Sequence, residues 1–243
     1  AYKLGIDRLH SFGTRFGLGD VTGIDNTNER AGLMPSREWK EQSRGGHWYP
    51  GETINVGIGQ GFMLATPLQL AVATSVVASR GELRAPRLLA SVGEEAVVAP
   101  LLGKMEDISK AHWDAITRSM EEVVNGAHGT GRGLKAGLTY RMAGKSGTAQ
   151  VVGIAAGEKY DSNAIHARNR DHALFIAFAP AEDPKIAVAV VIENGEHGGS
   201  VAGPAARKAM DAYLLGKPKQ PDPLPAETAG PVVTVTAGAE ANE

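Results

Sequence analysis

Two dense apolar segments, 173–179 and 186–192, constrain the fold of this chain more than any other feature. Both have the length of a strand and fall well short of the ~20 residues needed to cross a bilayer. The connection between them, 180–184, begins and ends with proline, and such a short connection predicts an antiparallel hairpin. A third strand is predicted over 141–152. Together the three segments indicate an antiparallel sheet.

Helices are predicted on both sides of these strands in the sequence. Apolar residues recur at helical spacing over 4–16, and Thr66 followed by proline is a favourable start for a buried helix that runs to Ser79. Ser109 can cap another helix, and a last one is predicted over 202–215. The inner stripe of the helix after Ser109 is predicted to be Trp113, Ile116, Met120 and Val123. The fold class is therefore α+β, with an antiparallel sheet flanked by helices.

The remaining chain divides into an internal loop and a tail. Residues 20–61 show little periodicity and are predicted to be irregular; such a long loop often lies near a functional site. Residues 217–243 are rich in Pro, Ala, Glu and Thr, which predicts a disordered tail after a domain that spans 1–216.

Composition excludes several classes of function. The net charge is −2 and the basic residues are scattered, which argues against nucleic acid as a partner. The absence of cysteine excludes disulfides and thiol catalysis. No spacing of His, Asp or Glu suggests a metal site, and no cofactor is expected.

The motif Lys145-Ser146-Gly147-Thr148 is the sharpest chemical signal. A phosphate-binding loop would need glycine at position 139, which is Thr139, and a helix after the motif, where the sequence predicts a strand. The other interpretation is an edge strand beside an acyl-transfer site. The lysine would then supply positive charge, the hydroxyls would bind a carboxylate, and the threonine N–H would donate to an oxyanion. An ordinary strand with a surface lysine remains the alternative.

Further motifs flank this one. They are a glycine-glutamine segment, a threonine-proline helix start, an aromatic segment and a downstream tripeptide: Gly57-Ile58-Gly59-Gln60-Gly61, Thr66-Pro67-Leu68-Gln69, Trp48-Tyr49-Pro50-Gly51-Glu52-Thr53 and Phe178-Ala179-Pro180. By these motifs the stretch 3–216 resembles the class B penicillin-binding proteins. Three more segments, 34–40, 170–172 and 192–195, are most similar to the elongation transpeptidases of Gram-negative bacteria within that family.

The resemblance implies a penicillin-binding, β-lactamase-like transpeptidase fold and a serine enzyme of peptidoglycan synthesis. The family builds its site from three motifs: Ser-x-x-Lys with the nucleophile, Ser-x-Asn or Ser-x-Asp, and Lys-Ser/Thr-Gly. The serine attacks the D-Ala-D-Ala carbonyl of a stem peptide, the terminal D-alanine leaves, and an amine of a neighbouring strand takes the acyl group. β-Lactams imitate the dipeptide and inhibit by leaving a stalled acyl-enzyme.

Only the third motif occurs in this sequence. No serine has lysine three places on, or Asn or Asp two places on. We therefore expect the nucleophile and a membrane anchor to lie in a missing N-terminal half, the fold to be incomplete, and this chain alone to form no acyl-enzyme. The resemblance also implies a place at the periplasmic face of the inner membrane, with a membrane glycan polymerase of the elongation machinery as a partner.

Within this chain, the resemblance makes Lys145 and Thr148 the catalytic candidates. It predicts these substrate-binding residues: Lys145, Ser146, Gly147, Thr148, Asp171 and His172. The last two belong to a polar loop, for which solvated surface charges are the alternative. Ser146 is itself a poor nucleophile, because adjacent side chains on a strand point to opposite faces and Lys145 is therefore badly placed as its base.

Other functions stay open within and outside this fold. A D,D-carboxypeptidase or a β-lactamase would pass the acyl group to water instead of an amine. A non-catalytic penicillin-recognising sensor or scaffold would keep the fold without the serine. The upstream sequence discriminates an enzyme from a binding module, and the intact lysine motif favours a truncated enzyme over a degenerate one.

Overall fold

The computed structural model describes residues 1–153, 160–161 and 165–216. The predicted tail, 217–243, lies outside the described residues. The helices are α1 (Ile6–Thr14), α2 (Arg37–Arg44), α3 (Pro50–Gly57), α4 (Pro67–Ala78), α5 (Lys110–Asn125) and α6 (Gly203–Leu214). The strands are β1 (Glu82–Arg84), β2 (Ser91–Val92), β3 (Glu95–Ala96), β4 (Leu101–Lys104), β5 (Ala143–Ala149), β6 (His172–Ala179) and β7 (Ile186–Ile192).

The central sheet is antiparallel in the order β5-β6-β7, which confirms the predicted fold class. The bounds of β7 are those predicted, and β6 begins one residue earlier than predicted. Strand β6 alternates between two buried faces. Phe175 and its neighbours two residues away pack with Ala206 and Met210 of α6, whereas Phe178 packs with Val77 of α4 on the other face.

Helix α5 begins after Ser109 as predicted, but its inner stripe differs in one position. Trp113 is buried, and Met120 and Val123 pack against the core. Ile116 is 48% exposed, so its prediction as an inner residue is wrong. Val124, one residue after the predicted stripe, is fully buried instead, because it lies four residues after Met120 and eleven after Trp113, on the same face of the helix.

The prediction of an irregular chain over 20–61 is wrong in its second half, which contains α2 and α3. Both helices are short, and α2 carries mostly charged and polar residues, so neither shows an apolar period in the sequence. Local caps start them. The Ser36 hydroxyl accepts a hydrogen bond from the Trp39 N–H, and the Glu52 carboxylate accepts one from the Tyr49 N–H.

Two small strand pairs, β1 with β4 and β2 with β3, lie between α4 and α5 in the sequence. They were not predicted. Their strands have only two to four residues, too few for a period of two to show. Within the described ranges, none of the helices combines the length and the apolar character needed to span a membrane.

Candidate active site

The lysine motif lies on β5, at the edge of the central sheet. Within the part of the chain that the structure describes, β5 pairs with β6 alone, so no strand covers its outer edge. Lys145 and Thr148 are exposed, and Ser146 and Gly147 are half-buried. All four line a groove of about 600 Å³, whose other walls come from Ile58, Thr130 and the segment 197–200. Lys145 also borders a neighbouring cavity of about 410 Å³ at the C-terminal end of α5.

The segment 197–200 reaches the groove because two of its residues are glycines. A Cβ on Gly198 would lie 2.6 Å from the Gly147 carbonyl oxygen and 2.3 Å from that of Leu174. A Cβ on Gly199 would lie 2.0 Å from the carbonyl oxygen of Thr130. Only glycine permits this close approach of three backbones.

Ser146 is hydrogen-bonded to another hydroxyl rather than to a base. Its Oγ lies 2.7 Å from the Oγ1 of Thr130, which follows the glycine-rich turn after α5. The Lys145 ammonium donates to the backbone carbonyl oxygen of Ser146, not to its hydroxyl. The two hydroxyls and the ammonium therefore form a polar surface suited to binding an anionic group such as a carboxylate.

Thr148 is held through both its side chain and its backbone. Its hydroxyl donates to the Glu196 carbonyl oxygen at 3.3 Å, and its own carbonyl oxygen accepts from the Gln60 Nε2 at 2.9 Å. Glu196 lies in the turn after β7 and has a positive φ of 61°. Gln60 lies in the loop after α3, so two distant segments converge on one residue of β5.

Asp171 and His172 do not line the groove. The Asp171 carboxylate accepts from the Val151 N–H at 3.4 Å, and its carbonyl oxygen accepts from the Glu196 N–H at 2.9 Å. His172 pairs with Ala149 of β5, and its Nδ1 accepts from the Asn194 N–H at 3.0 Å. Both residues therefore hold the turn after β7 against the end of β5.

The comparisons with known proteins agree with this geometry. The family model for the penicillin binding protein transpeptidase domain matches residues 1–211. The chain belongs to this family. It is 45% identical to the peptidoglycan D,D-transpeptidase MrdA of Haemophilus influenzae over 88% of the chain, and 42% identical to that of Escherichia coli K12 over 89%. It spans about a third of the length of these curated relatives (34% and 35%).

Solved structures place the fold in the same family. Penicillin-binding protein 2 of Pseudomonas aeruginosa, solved with WCK 5153, matches with a TM-score of 0.78 and 47% identity, over 95% of this chain and 46% of that one. Penicillin-binding protein 2 of Helicobacter pylori, solved in complex with MreC, matches with a TM-score of 0.75 and 31% identity, over 88% and 37%. The predicted resemblance to the class B penicillin-binding proteins is thereby confirmed.

Sequence reasoning found the residues of β5 in this transpeptidase-family chain but missed three of their partners. These are Gln60, Thr130 and Glu196. A signal existed for two of them, since glycines flank both Gln60 and Thr130 in the sequence. No signal existed for Glu196, whose contact with Thr148 is made by a backbone carbonyl.

Proposed function

We propose that this chain forms one wall of a D,D-transpeptidase site that cross-links peptidoglycan stem peptides through a serine acyl-enzyme and that β-lactams inhibit. The observation that carries the proposal is the outer edge of β5, where Lys145 to Thr148 face one groove together with Thr130 and the segment 197–200. An extended peptide ending in D-Ala-D-Ala fits such an edge, because peptides bind strand edges by adding a strand.

The charged and polar residues of the motif each have a defined part in this proposal. The Lys145 ammonium and the hydroxyls of Ser146 and Thr130 bind the terminal carboxylate of the stem peptide. The Thr148 N–H donates to the oxyanion formed when the serine attacks the carbonyl, and one such donor contributes about 3 kcal/mol to transition-state stabilisation. The C–N bond to the terminal D-alanine then breaks, and an amine of a second strand takes the acyl group.

The nucleophile comes from outside these residues in this proposal. The printed sequence contains no Ser-x-x-Lys motif, and Ser146 is bonded to Thr130 with its lysine neighbour turned to a carbonyl. Asp171 and His172 hold the turn after β7 by hydrogen bonds, and the Glu196 carbonyl of that turn accepts from the Thr148 hydroxyl. We propose that the two residues contribute to substrate binding in this indirect way.

The relatives also support the proposal that this chain belongs to the elongation machinery of peptidoglycan synthesis. The Helicobacter pylori homologue was solved in complex with MreC. A further match, 31% identical with a TM-score of 0.69, comes from the structure of a peptidoglycan synthase complex that coordinates polymerization and crosslinking. We infer that this chain works at the periplasmic face of the inner membrane beside a membrane glycan polymerase.

Labelling with a fluorescent penicillin tests the proposal. We expect covalent label on the full-length protein that contains this chain and none on the isolated 243-residue chain. We expect the Lys145→Ala variant of the full-length protein to label at least 100-fold more slowly, because the positive charge that pairs with the substrate carboxylate is lost. The Lys185→Ala variant, altered at an exposed lysine in the turn between β6 and β7, serves as control.

Two results would contradict the proposal. Label on the isolated chain would show that one of its own serines is the nucleophile. A folded full-length protein that takes no label would instead favour the non-catalytic sensor or scaffold.

A further inference from the structure

We propose that Gln60 is a positioning residue, which fixes the backbone of Thr148 so that the Thr148 N–H stays aimed into the groove. The inference rests on the proposed function and extends it to a loop outside the sheet. Gln60 and Thr148 are 88 residues apart in sequence and are joined by a single hydrogen bond of 2.9 Å, from the Gln60 side-chain amide to the Thr148 carbonyl oxygen.

The backbone around Gln60 is built to hold this side chain in one place. Its N–H donates to the Asn55 carbonyl oxygen at 2.9 Å, and the Gly59 N–H donates to that of Val56 at 2.9 Å, so the loop closes directly on the end of α3. Gly59 and Gly61, on either side, have φ values of 78° and 73°. Glycine adopts this left-handed backbone at no steric cost, whereas other residues are strained there.

Helix α3, which carries the loop, is itself anchored. Its buried Val56 packs with Ile6 and Met34, and its Thr53 hydroxyl accepts a hydrogen bond from the Trp48 indole at 2.8 Å. The Glu52 carboxylate pairs with the buried Lys40 ammonium. Gln60 therefore reaches β5 from a packed element, not from a free loop.

The geometry of an edge strand explains what the bond achieves. In an antiparallel strand the N–H and the carbonyl of one residue point to the same side. The carbonyl of Thr148 accepts from Gln60 at the outer edge, so its N–H also faces that edge, where the groove lies. Thr148 is next to the last residue of β5, where strand ends open most easily. Gln60 holds this end in the geometry that an oxyanion donor requires.

Two substitutions separate positioning from simple packing. Gln60→Ala removes the donor, and Gln60→Glu keeps the shape but places a carboxylate against the Thr148 carbonyl. The full-length protein is reacted with a fluorescent penicillin in a stopped-flow instrument, and the saturation constant is separated from the acylation rate constant. We expect the acylation rate constant to fall about 3–10-fold in Gln60→Ala and further in Gln60→Glu, with the saturation constant within about twofold of wild type.

The matched controls are Gln42→Ala and Gln42→Glu, at an exposed glutamine of α2 whose side chain contacts Glu38. They should leave the rate constant unchanged. The fraction of protein that labels and the melting temperature are measured on every variant, because a purely structural role for Gln60 would lower both.

Three outcomes overturn the inference. An unchanged rate constant in Gln60→Glu, with wild type labelled normally, rejects the inference and leaves the proposed function standing. A rate loss explained fully by a smaller active fraction and a lower melting temperature shows that Gln60 only supports the fold. Absence of acylation in the wild-type protein rejects the proposed function and this inference with it.

Discussion

Glu52 is the residue through which α2 and α3 hold each other. Its carboxylate accepts from the Lys40 ammonium at 2.5 and 2.7 Å and from the Tyr49 N–H at 2.8 Å. The ammonium is buried and lies 4.7 Å from the Tyr49 ring centroid and 5.9 Å from those of Trp48 and Phe62. Burial by itself would raise the pKa of Glu52, but the hydrogen bonds from Lys40 and Tyr49 outweigh it and lower that pKa below 4.5.

The lowered pKa predicts how stability depends on pH at this residue. A carboxyl whose pKa is lower in the folded state contributes stability above its unfolded pKa, near 4.5, and loses that contribution as the pH falls through the folded pKa. We expect Glu52→Gln to reduce the free energy of unfolding by about 1–2 kcal/mol at pH 7, with the difference from wild type shrinking below about pH 4.5.

Urea unfolding at pH 7 and at pH 3.5 checks this expectation. Glu94→Gln, at an exposed position between β2 and β3, is the control and should be neutral at both pH values. An equal loss for Glu52→Gln at both pH values would show that shape, not charge, decides its contribution.

At the scale of elements, the start of α4 organises the irregular chain before it. The Thr66 hydroxyl accepts from the Gln69 N–H, and the Gln69 side-chain oxygen accepts from the Thr66 N–H, which is the reciprocal capping box. Gln69 is fully buried, and its Nε2 also donates to the carbonyl oxygens of Asp20 and Ala31, at 2.7 Å each. One side chain thus caps a helix and pins the segment that leads from α1 to α2.

We expect Gln69→Leu to destabilise the protein by about 3 kcal/mol. The substitution keeps the volume but removes the partner of the Asp20 and Ala31 carbonyl oxygens and of the Thr66 N–H, and each lost hydrogen bond costs about 1 kcal/mol. Chemical denaturation measures the loss, and Gln42→Leu on the exposed face of α2 is the matched control. A loss below about 1 kcal/mol would mean that the segment 20–31 rearranges or takes in water without cost.

At the scale of the whole molecule, α6 closes the domain by holding the glycine-rich segment 126–137, which follows α5. Arg207 pairs with Asp211 on the same helix and donates to the carbonyl oxygens of Leu134 and Ala136, at 2.6 and 3.1 Å. The Tyr140 hydroxyl donates to Asp211 at 2.7 Å. Burial and the Asp211 carboxylate raise the pKa of Tyr140 above its ordinary value of 10.0. Helix α6 therefore secures the chain between Thr130 and the start of β5.

We expect Arg207→Met to lower the free energy of unfolding by about 3 kcal/mol, because charged hydrogen bonds to three carbonyls, those of Leu134, Ala136 and Gly137, are lost and Asp211 loses its cationic partner. The segment that Arg207 holds, 134–137, follows Thr130, which lines the groove. We therefore expect penicillin labelling of the full-length protein to slow as well. Lys208→Met, the exposed neighbour on α6, should change neither property. Similar effects of the two substitutions on unfolding and labelling would show that α6 acts only through its apolar face.

The strands β6 and β7 and the start of α4 followed from the sequence because their signals are local. An apolar run, a proline turn and a threonine-proline cap each lie within a few residues, and the structure confirms all three. Helices α2 and α3 did not follow, because their short polar sequences are stabilised by contacts between them, such as the pair Lys40 and Glu52.

The candidate site also has a part that the sequence predicts and a part that only the structure reveals. By itself the sequence determined the motif from Lys145 to Thr148 and its place on a strand, since residue type and strand period are written along the chain. The position of that strand at the edge of the sheet was decided by the order β5-β6-β7. Only the tertiary structure decided which groups meet that strand. Gln60 and Glu196 lie 88 and 48 residues from Thr148, and Thr130 lies 16 residues from Ser146. Such contacts depend on how α3, the turn after β7 and the glycine-rich chain pack around the sheet, and no local pattern encodes that packing.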